Sequence, residues 1–178
     1  MYARILSFWF DEIDPKQWWS AEPSFDQLIR ERFLPLIEQA SAAELYPWRT
    51  TAAGRLAEII VLDQFSRNAY RNTPQAFAQD GMALVLAQEA VAAGALNRLN
   101  PLQRSVLLLP YMHSESRSIH TQAEKLYQEF APAENYDFER RHKAIIDRFG
   151  RYPHRNAILG RSSTAAEREF LQQPNSSF

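Results

Sequence analysis

Apolar residues recur at helical spacing along this chain, and no stretch alternates apolar with polar residues between turn signals, so the fold is restricted to packed helices. At about 100° per residue, residues 51–67 carry a stripe of Leu56, Ile59 and Ile60, and residues 74–93 one of Phe77, Leu84, Ala87 and Val91. Residues 101–113 carry Leu102, Val106 and Leu109, and the segment 138–149 carries Phe138, Ile145, Ile146 and Phe149. The punctuation agrees. Asn100-Pro101 and Thr73-Pro74 each join an N-cap side chain to a proline at the first helical position, where the missing N–H costs nothing. Thr164 and Glu167 have capping-box spacing, and Gly94 and Gly150 stand where helix C-termini favour a left-handed residue. The pattern predicts helices over 2–10, 24–43, 51–67, 74–93, 101–113, 116–131, 136–149 and 164–172. Pro35 is expected to kink or split the second helix, and Pro110 to bend the fifth just before His113. Short links make neighbours antiparallel, which gives an all-α fold of stacked helical hairpins or a compact bundle.

With 178 residues the chain suffices for one domain, expected over 1–172 with a disordered tail at 173–178. It has no cysteine, which excludes a disulfide scaffold and any thiolate-ligated metal and fits a reducing compartment. The opening apolar run, Ile5 to Phe10, is too short for a signal peptide or a membrane span, so a soluble cytoplasmic protein is expected. The net charge of −1 hides a skew: 17 of the 20 basic residues are arginine. Residues 140–161 hold seven Arg or Lys against the single acid Asp147, while residues 11–44 are acid-rich. Arginine suits bidentate pairing with carboxylate or phosphate, so the bias favours anion recognition or internal ion pairs. Its simplest reading is that the acidic N-terminal half packs against the basic C-terminal half. A sequence pI near 6.4 argues against a nucleic-acid surface.

Against this background the polar residues inside the apolar stripes stand out, because such groups avoid burial unless they are paired, coordinated or used. Asp63 and Arg67 fall in the stripe of 51–67, four residues apart and able to pair. Asp80 faces inward one turn before Leu84 and could share Arg67 or Arg71; His113 ends its stripe, and His142 has the core face all around it. Each has a structural reading as well: an ion pair that sets helix register, or a hydrogen-bonded core histidine.

Four segments closely resemble the bacterial domain-of-unknown-function family number 924. They are LSFWF (6–10), LDQFSRNAYRNTPQAFAQD (62–80), LLPYMHSE (108–115) and HKAIIDRFGRYPHRNAILGRSSTAAEREFL (142–171). The resemblance covers nearly the whole chain. It implies an all-α, tetratricopeptide-like right-handed superhelix of hairpins in one compact domain, in a family without an established activity. The family commonly has proline at the position of Ser66, phenylalanine at that of Tyr111, and a different link after Glu115.

In RFGRYPHRNAILGR (148–161), Gly150 ends a helix, Tyr152-Pro153 forces an extended link, and His154, Arg155 and Asn156 arrive on a constrained loop, with Arg161 following. These groups cap a site from one end, or they bond the orphan carbonyls of neighbouring helices, as Arg151 also could. Three functional classes follow. A small-molecule site would hold an anionic metabolite through Arg67, Arg155 and Arg161, with His113 or His142 as general acid or base and Asp63 or Glu115 orienting it. Asn68, Asp80, His154 and Asn156 complete that ligand-binding set. A metal enzyme would use His113, Glu115, His142 and His154, although His113-x-Glu115 matches no strong zinc motif. An interaction module would read a protein or peptide on its concave face, with Trp9, Trp18, Trp19 and Trp48 as anchors, if these are not simply core. No nucleophile elbow, phosphate-cradling loop or zincin motif occurs, and with 5 glycines no cofactor loop is expected.

Overall fold

The expected capping box at Thr164 closes, and a second forms at Asn100. The Gln103 N–H donates to Asn100 Oδ1 at 2.9 Å while the Asn100 N–H donates to Gln103 Oε1 at 3.2 Å. The Thr164–Glu167 pair does the same at 3.2 and 2.7 Å. Gly94 and Gly150 take φ of 73° and 71°, the left-handed region that ends a helix. The computed structural model describes residues 1–19, 21–174 and 176–177, and among these there is no strand.

Helix α1 (Tyr2–Ser7) runs on into a π-helical turn at Phe8–Glu12, and α2 spans Pro23–Ser41. Helix α3 (Ala52–Ile60) continues through a second π-helical turn, Val61–Phe65, into α4 (Ser66–Ala69). Next come α5 (Asp80–Ala92), α6 (Pro101–Leu107) and α7 (Leu109–Met112). The long pair α8 (Arg117–Phe130) and α9 (Ala133–Phe149) and the short α10 (Ala165–Phe170) complete the chain. Helix α1 packs on α3, α2 on α4, α3 on α5 and α6, and α8 on α9. The core centres on Phe8, Phe33 and Phe65, whose rings lie 4.8–5.9 Å apart. Trp9 and Trp18 stack beside them at 5.5 Å, and Trp18 Nε1 donates to the Trp9 carbonyl. Of the four tryptophans only Trp19 is exposed, so three belong to the packing.

Three expectations need correction. Pro35 does not split α2, which runs on through it; Pro35 and Glu31, the residue whose carbonyl it leaves without a helical donor, are both exposed. The predicted helix over 74–93 is broken: Pro74–Phe77 is a 3₁₀ turn and α5 begins only at Asp80. The Thr73 hydroxyl donates to the Tyr70 carbonyl at 2.7 Å and caps nothing, so no full helix starts there. Finally, among the described residues the Arg and Lys side chains of 140–161 form no ion pair with the acids of 11–44. Their ion pairs go to Asp80, Glu115, Asp137, Asp147 and Glu167. The expected loose tail includes Asn175 and Phe178, which lie outside the described residues; Ser176 is buried and donates to the Leu171 carbonyl at 3.1 Å.

The backbone approaches closely at the entry to α3. The Thr51 hydroxyl caps the helix by accepting from the Gly54 N–H at 3.0 Å, and a Cβ at Gly54 would overlap the Trp48 carbonyl oxygen. Gly54→Ala is therefore expected to cost about 3 kcal/mol, the upper range for overpacking, because backbone and not a flexible side chain must yield. Urea denaturation against wild type measures it; a loss within ~0.5 kcal/mol, typical of a tolerated surface change, would show that the turn at 46–50 relaxes freely.

Candidate active-site cleft

Asp63 sits in the π-helical turn after α3 and is almost fully buried, 1% exposed. The wide turn places five consecutive residues, Val61 to Phe65, in the interior, so its carboxylate points into protein. His113 arrives from the other side. The chain breaks at Leu108, restarts with Pro110 in the first turn of α7, and delivers His113 at the helix end, with Nδ1 2.8 Å from Asp63 Oδ1. Arg67, one turn beyond Asp63, reaches the Asp63 carbonyl at 3.0 Å and its Oδ1 at 3.2 Å, and Gln64 Nε2 donates to Oδ2 at 2.5 Å.

The break before α5 puts Asp80 at a helix start, where Arg67 binds both its oxygens at 2.8 and 3.1 Å. Arg155 Nη1 adds a third bond at 3.1 Å. Asp80 thus pairs with Arg67; Arg71 goes instead to Asp26, together with Asn68. The Arg155 guanidinium is sandwiched 4.7 Å from both the Phe77 and Tyr152 ring centroids. It is 5% exposed, and its Nε has no acceptor among the described residues. Glu115 takes both Arg161 Nη groups at 2.6 and 2.9 Å and the Tyr152 N–H at 2.7 Å, while Arg161 Nε donates to Asn156 Oδ1.

These residues meet at a cleft of about 370 Å³. Asp80, His113, Ser114, Glu115 and Arg155 form its polar side, and Phe77, Leu84, Pro110 and Leu159 its apolar side. Asp63, Arg67 and Arg161 stand behind the polar side through the bonds given above. Burial raises the Asp63 pKa, but Arg67 and His113 outweigh it and hold the carboxylate well below its usual range. Burial and the Arg67 charge hold His113 below the ordinary histidine value, with Asp63 only partly offsetting them. The imidazole is therefore neutral at pH 7, with Nδ1–H donated to the carboxylate and Nε2 left as the basic nitrogen.

The remaining predicted site residues lie elsewhere. His142, 6% exposed, has Nδ1 2.8 Å from the Phe138 carbonyl, and burial takes its pKa down to about 3. His154 lies 5.7 Å from the Tyr152 ring, with its pKa lowered to about 4 by burial and Arg155. Asn68 binds Asp26, and Asn156 holds Arg161 and Ser163. Among the described residues no group of three or more His, Asp or Glu is placed to hold a metal ion, which leaves the His/Glu metal set without a centre.

One cluster escaped the sequence reading. His120 and Glu139, both fully buried, meet at 2.7 Å through Nδ1 and Oε1, and His120 Nε2 lies 2.8 Å from the Ser114 carbonyl. A carbonyl only accepts, so Nε2 carries hydrogen and a single further proton lies between Nδ1 and Oε1. The Tyr152 hydroxyl donates to the Met112 carbonyl. His120 and Tyr152 thereby pin the carbonyls of the two residues that flank His113, Ser114 and Met112. The signal for this cluster is the helical period over 116–131, which puts His120 on the face of Ala123 and Tyr127.

The sequence model of the family described as bacterial protein of unknown function (DUF924) matches residues 5–175. The chain is similar to the solved structure of a protein of unknown function, ATU0120, from Agrobacterium tumefaciens: 33% identity over 96% of each chain, TM-score 0.91. No curated protein matches. Among the described residues no helix is long and apolar enough to cross a membrane.

Proposed function

The chain belongs to this bacterial DUF924 family of unknown function, and we propose that its cleft binds a small ligand carrying an anionic group, with His113 as acid/base. The observation that carries this reading is the Asp63–His113 contact opening onto a cleft that also holds Arg155. The volume lies in the range of small-molecule sites, which combine apolar walls with a few convergent polar groups. Asp63 fixes the tautomer and orientation of the imidazole, and Nε2 accepts a proton from a bound substrate and returns it. Arg155 receives the anionic group, and Phe77 and Leu84 bound the apolar part. The helices are arranged, in this reading, as tetratricopeptide-like hairpins, which the close α8–α9 pairing across a short link supports. A peptide-binding role has less behind it: the exposed aromatics Trp19, Tyr46 and Phe138 lie on separate elements.

Gly81 supplies the test. It lines the cleft in the first turn of α5, and a Cβ there meets nothing within 4 Å, so Gly81→Trp is expected to occupy cleft space at little cost to the fold, which the unliganded melting midpoint checks. In a thermal-shift screen of small carboxylic acids and phosphorylated metabolites, a ligand at about 100 times its Kd adds ~2.7 kcal/mol, or roughly 5–10 °C for a chain of this size. The shift is expected in wild type and absent in Gly81→Trp. No shift across the panel, or one that survives the tryptophan, overturns the pocket.

A further inference from the structure

We infer that the ligand is a small zwitterion of the amino-acid type, with its carboxylate on Arg155, its ammonium group on Asp80, Glu115 and His113, and an apolar side chain along Phe77, Leu84, Pro110 and Leu159. This rests on the reading of the cleft as a ligand site and specifies what enters it.

Charge balance is the first argument. The polar assembly contains the carboxylates of Asp63, Asp80 and Glu115 and the guanidiniums of Arg67, Arg155 and Arg161, in two ion-paired groups, Asp63–Arg67–Asp80–Arg155 and Glu115–Arg161, each with as many carboxylates as guanidiniums. With His113 neutral, the charges cancel. A net-charged ligand in a partly desolvated cleft would leave one charge uncompensated, which is costly away from water. A zwitterion brings none. A phosphate dianion fits worst, since it would face Asp80 and Glu115 with Arg155 the one guanidinium on the lining.

Hydrogen-bond capacity is the second. The wall has a donor in excess: Arg155 Nε is buried without an acceptor, and its Nη1 reaches only an Asp80 oxygen already taken by Arg67. A carboxylate provides the missing acceptors in the planar geometry a guanidinium prefers. The wall also has acceptors to spare. Asp80 Oδ1 receives one bond, from Arg67, and Glu115 Oε2 receives one, from Arg161, whereas a carboxylate oxygen can take two. Both side chains retain partial exposure, 22% and 25%. With His113 Nε2 they make three acceptors on one lining, the number of hydrogens on an ammonium group. The ammonium also gives His113 its proton to take: transfer from nitrogen to Nε2 leaves a neutral amine and an imidazolium held by Asp63.

The test is calorimetric titration of the full chain with L-leucine and L-phenylalanine and with matched compounds lacking one charge. These are isocaproate and hydrocinnamate, which lack the amine, and isoamylamine and phenethylamine, which lack the carboxylate. At least one amino acid is expected to bind tenfold or more tightly than both its matched acid and its matched amine, and Gly81→Trp is expected to abolish that binding. Arg155→Gln should bring the amino acid down to the level of its amine; wild-type comparison of the six compounds decides the matter even if that variant folds poorly. An acid that binds as tightly as its amino acid overturns the zwitterion and leaves the anion pocket standing. Silence from all six, with a phosphorylated metabolite producing a thermal shift that Gly81→Trp removes, has the same effect. Silence from all six with no shift in the screen overturns both.

Discussion

Between pH 6.5 and 4 the folded chain is expected to lose several kcal/mol of stability, driven by buried neutral histidines. His142 titrates near pH 3 and His154 near pH 4 in the folded state, both held down first by burial. An unfolded histidine takes up its proton near pH 6.5. The unfolded state therefore binds more protons throughout this window, so stability is complete above about pH 6.5 and falls with pH until the folded values are passed. Each histidine contributes a slope of up to ~1.4 kcal/mol per pH unit, less for the partly exposed His154. His113, also depressed, acts with the same sign. Glu139 opposes them, since burial raises its pKa and the folded state then holds its proton more tightly than the unfolded. One such group offsets part of the loss. Against a typical total of about 5–15 kcal/mol, the chain should approach its unfolding midpoint before its carboxylates protonate. Urea denaturation at pH 7, 6 and 5 measures the slope, and His142→Asn should make it shallower by about one proton. An unchanged slope in that variant would remove His142 from the account.

Asp63→Ala is expected to cost about 3–5 kcal/mol, the range for stranding a buried charge. Arg67, Gln64 and His113 all lose an acceptor, and the buried group of Asp63, Asp80, Arg67 and Arg155 passes from neutral to a net positive charge. Combining it with Arg67→Met restores neutrality, because Asp80 keeps Arg155. The double variant should therefore be more stable than Asp63→Ala alone. A double-mutant cycle reads the coupling directly; costs that simply add would show that Asp63 and Arg67 do not interact.

Local signals carried the fold. Proline at helix starts, glycine at helix ends and the Thr164–Glu167 capping box act over three or four residues, so they are legible without tertiary knowledge, and all but Thr73-Pro74 do what the sequence suggests. That exception turns on one hydroxyl choosing a backward carbonyl over a forward amide, a competition that propensity does not resolve. The site was legible to the extent that helical winding exposes misplaced polarity. It marked Asp63, Arg67, Asp80 and His113, which meet. It also marked His142, whose Nδ1 instead meets a carbonyl one turn back. Asp26 was missed although it is buried, because its partners Asn68 and Arg71 lie more than forty residues away and no local pattern records so distant a contact.

The π-helical turn at Val61–Phe65 also acts as a phase shift. Such a turn accommodates one residue more than an α-helix would, so everything after it is rotated by about 100° relative to an unbroken helix. Upstream, α3 keeps time with α1 and α5; downstream, α4 keeps time with α2, where Asn68 meets Asp26 and Arg30 reaches the Ala69 carbonyl. One continuous rod thus serves two neighbours that a regular helix would present out of step. Arg67 faces Asp80 because of how many residues precede it as much as because it is an arginine. The cleft is encoded partly by counting, and a chain could retain every side chain named here yet lose the site through the removal of a single residue.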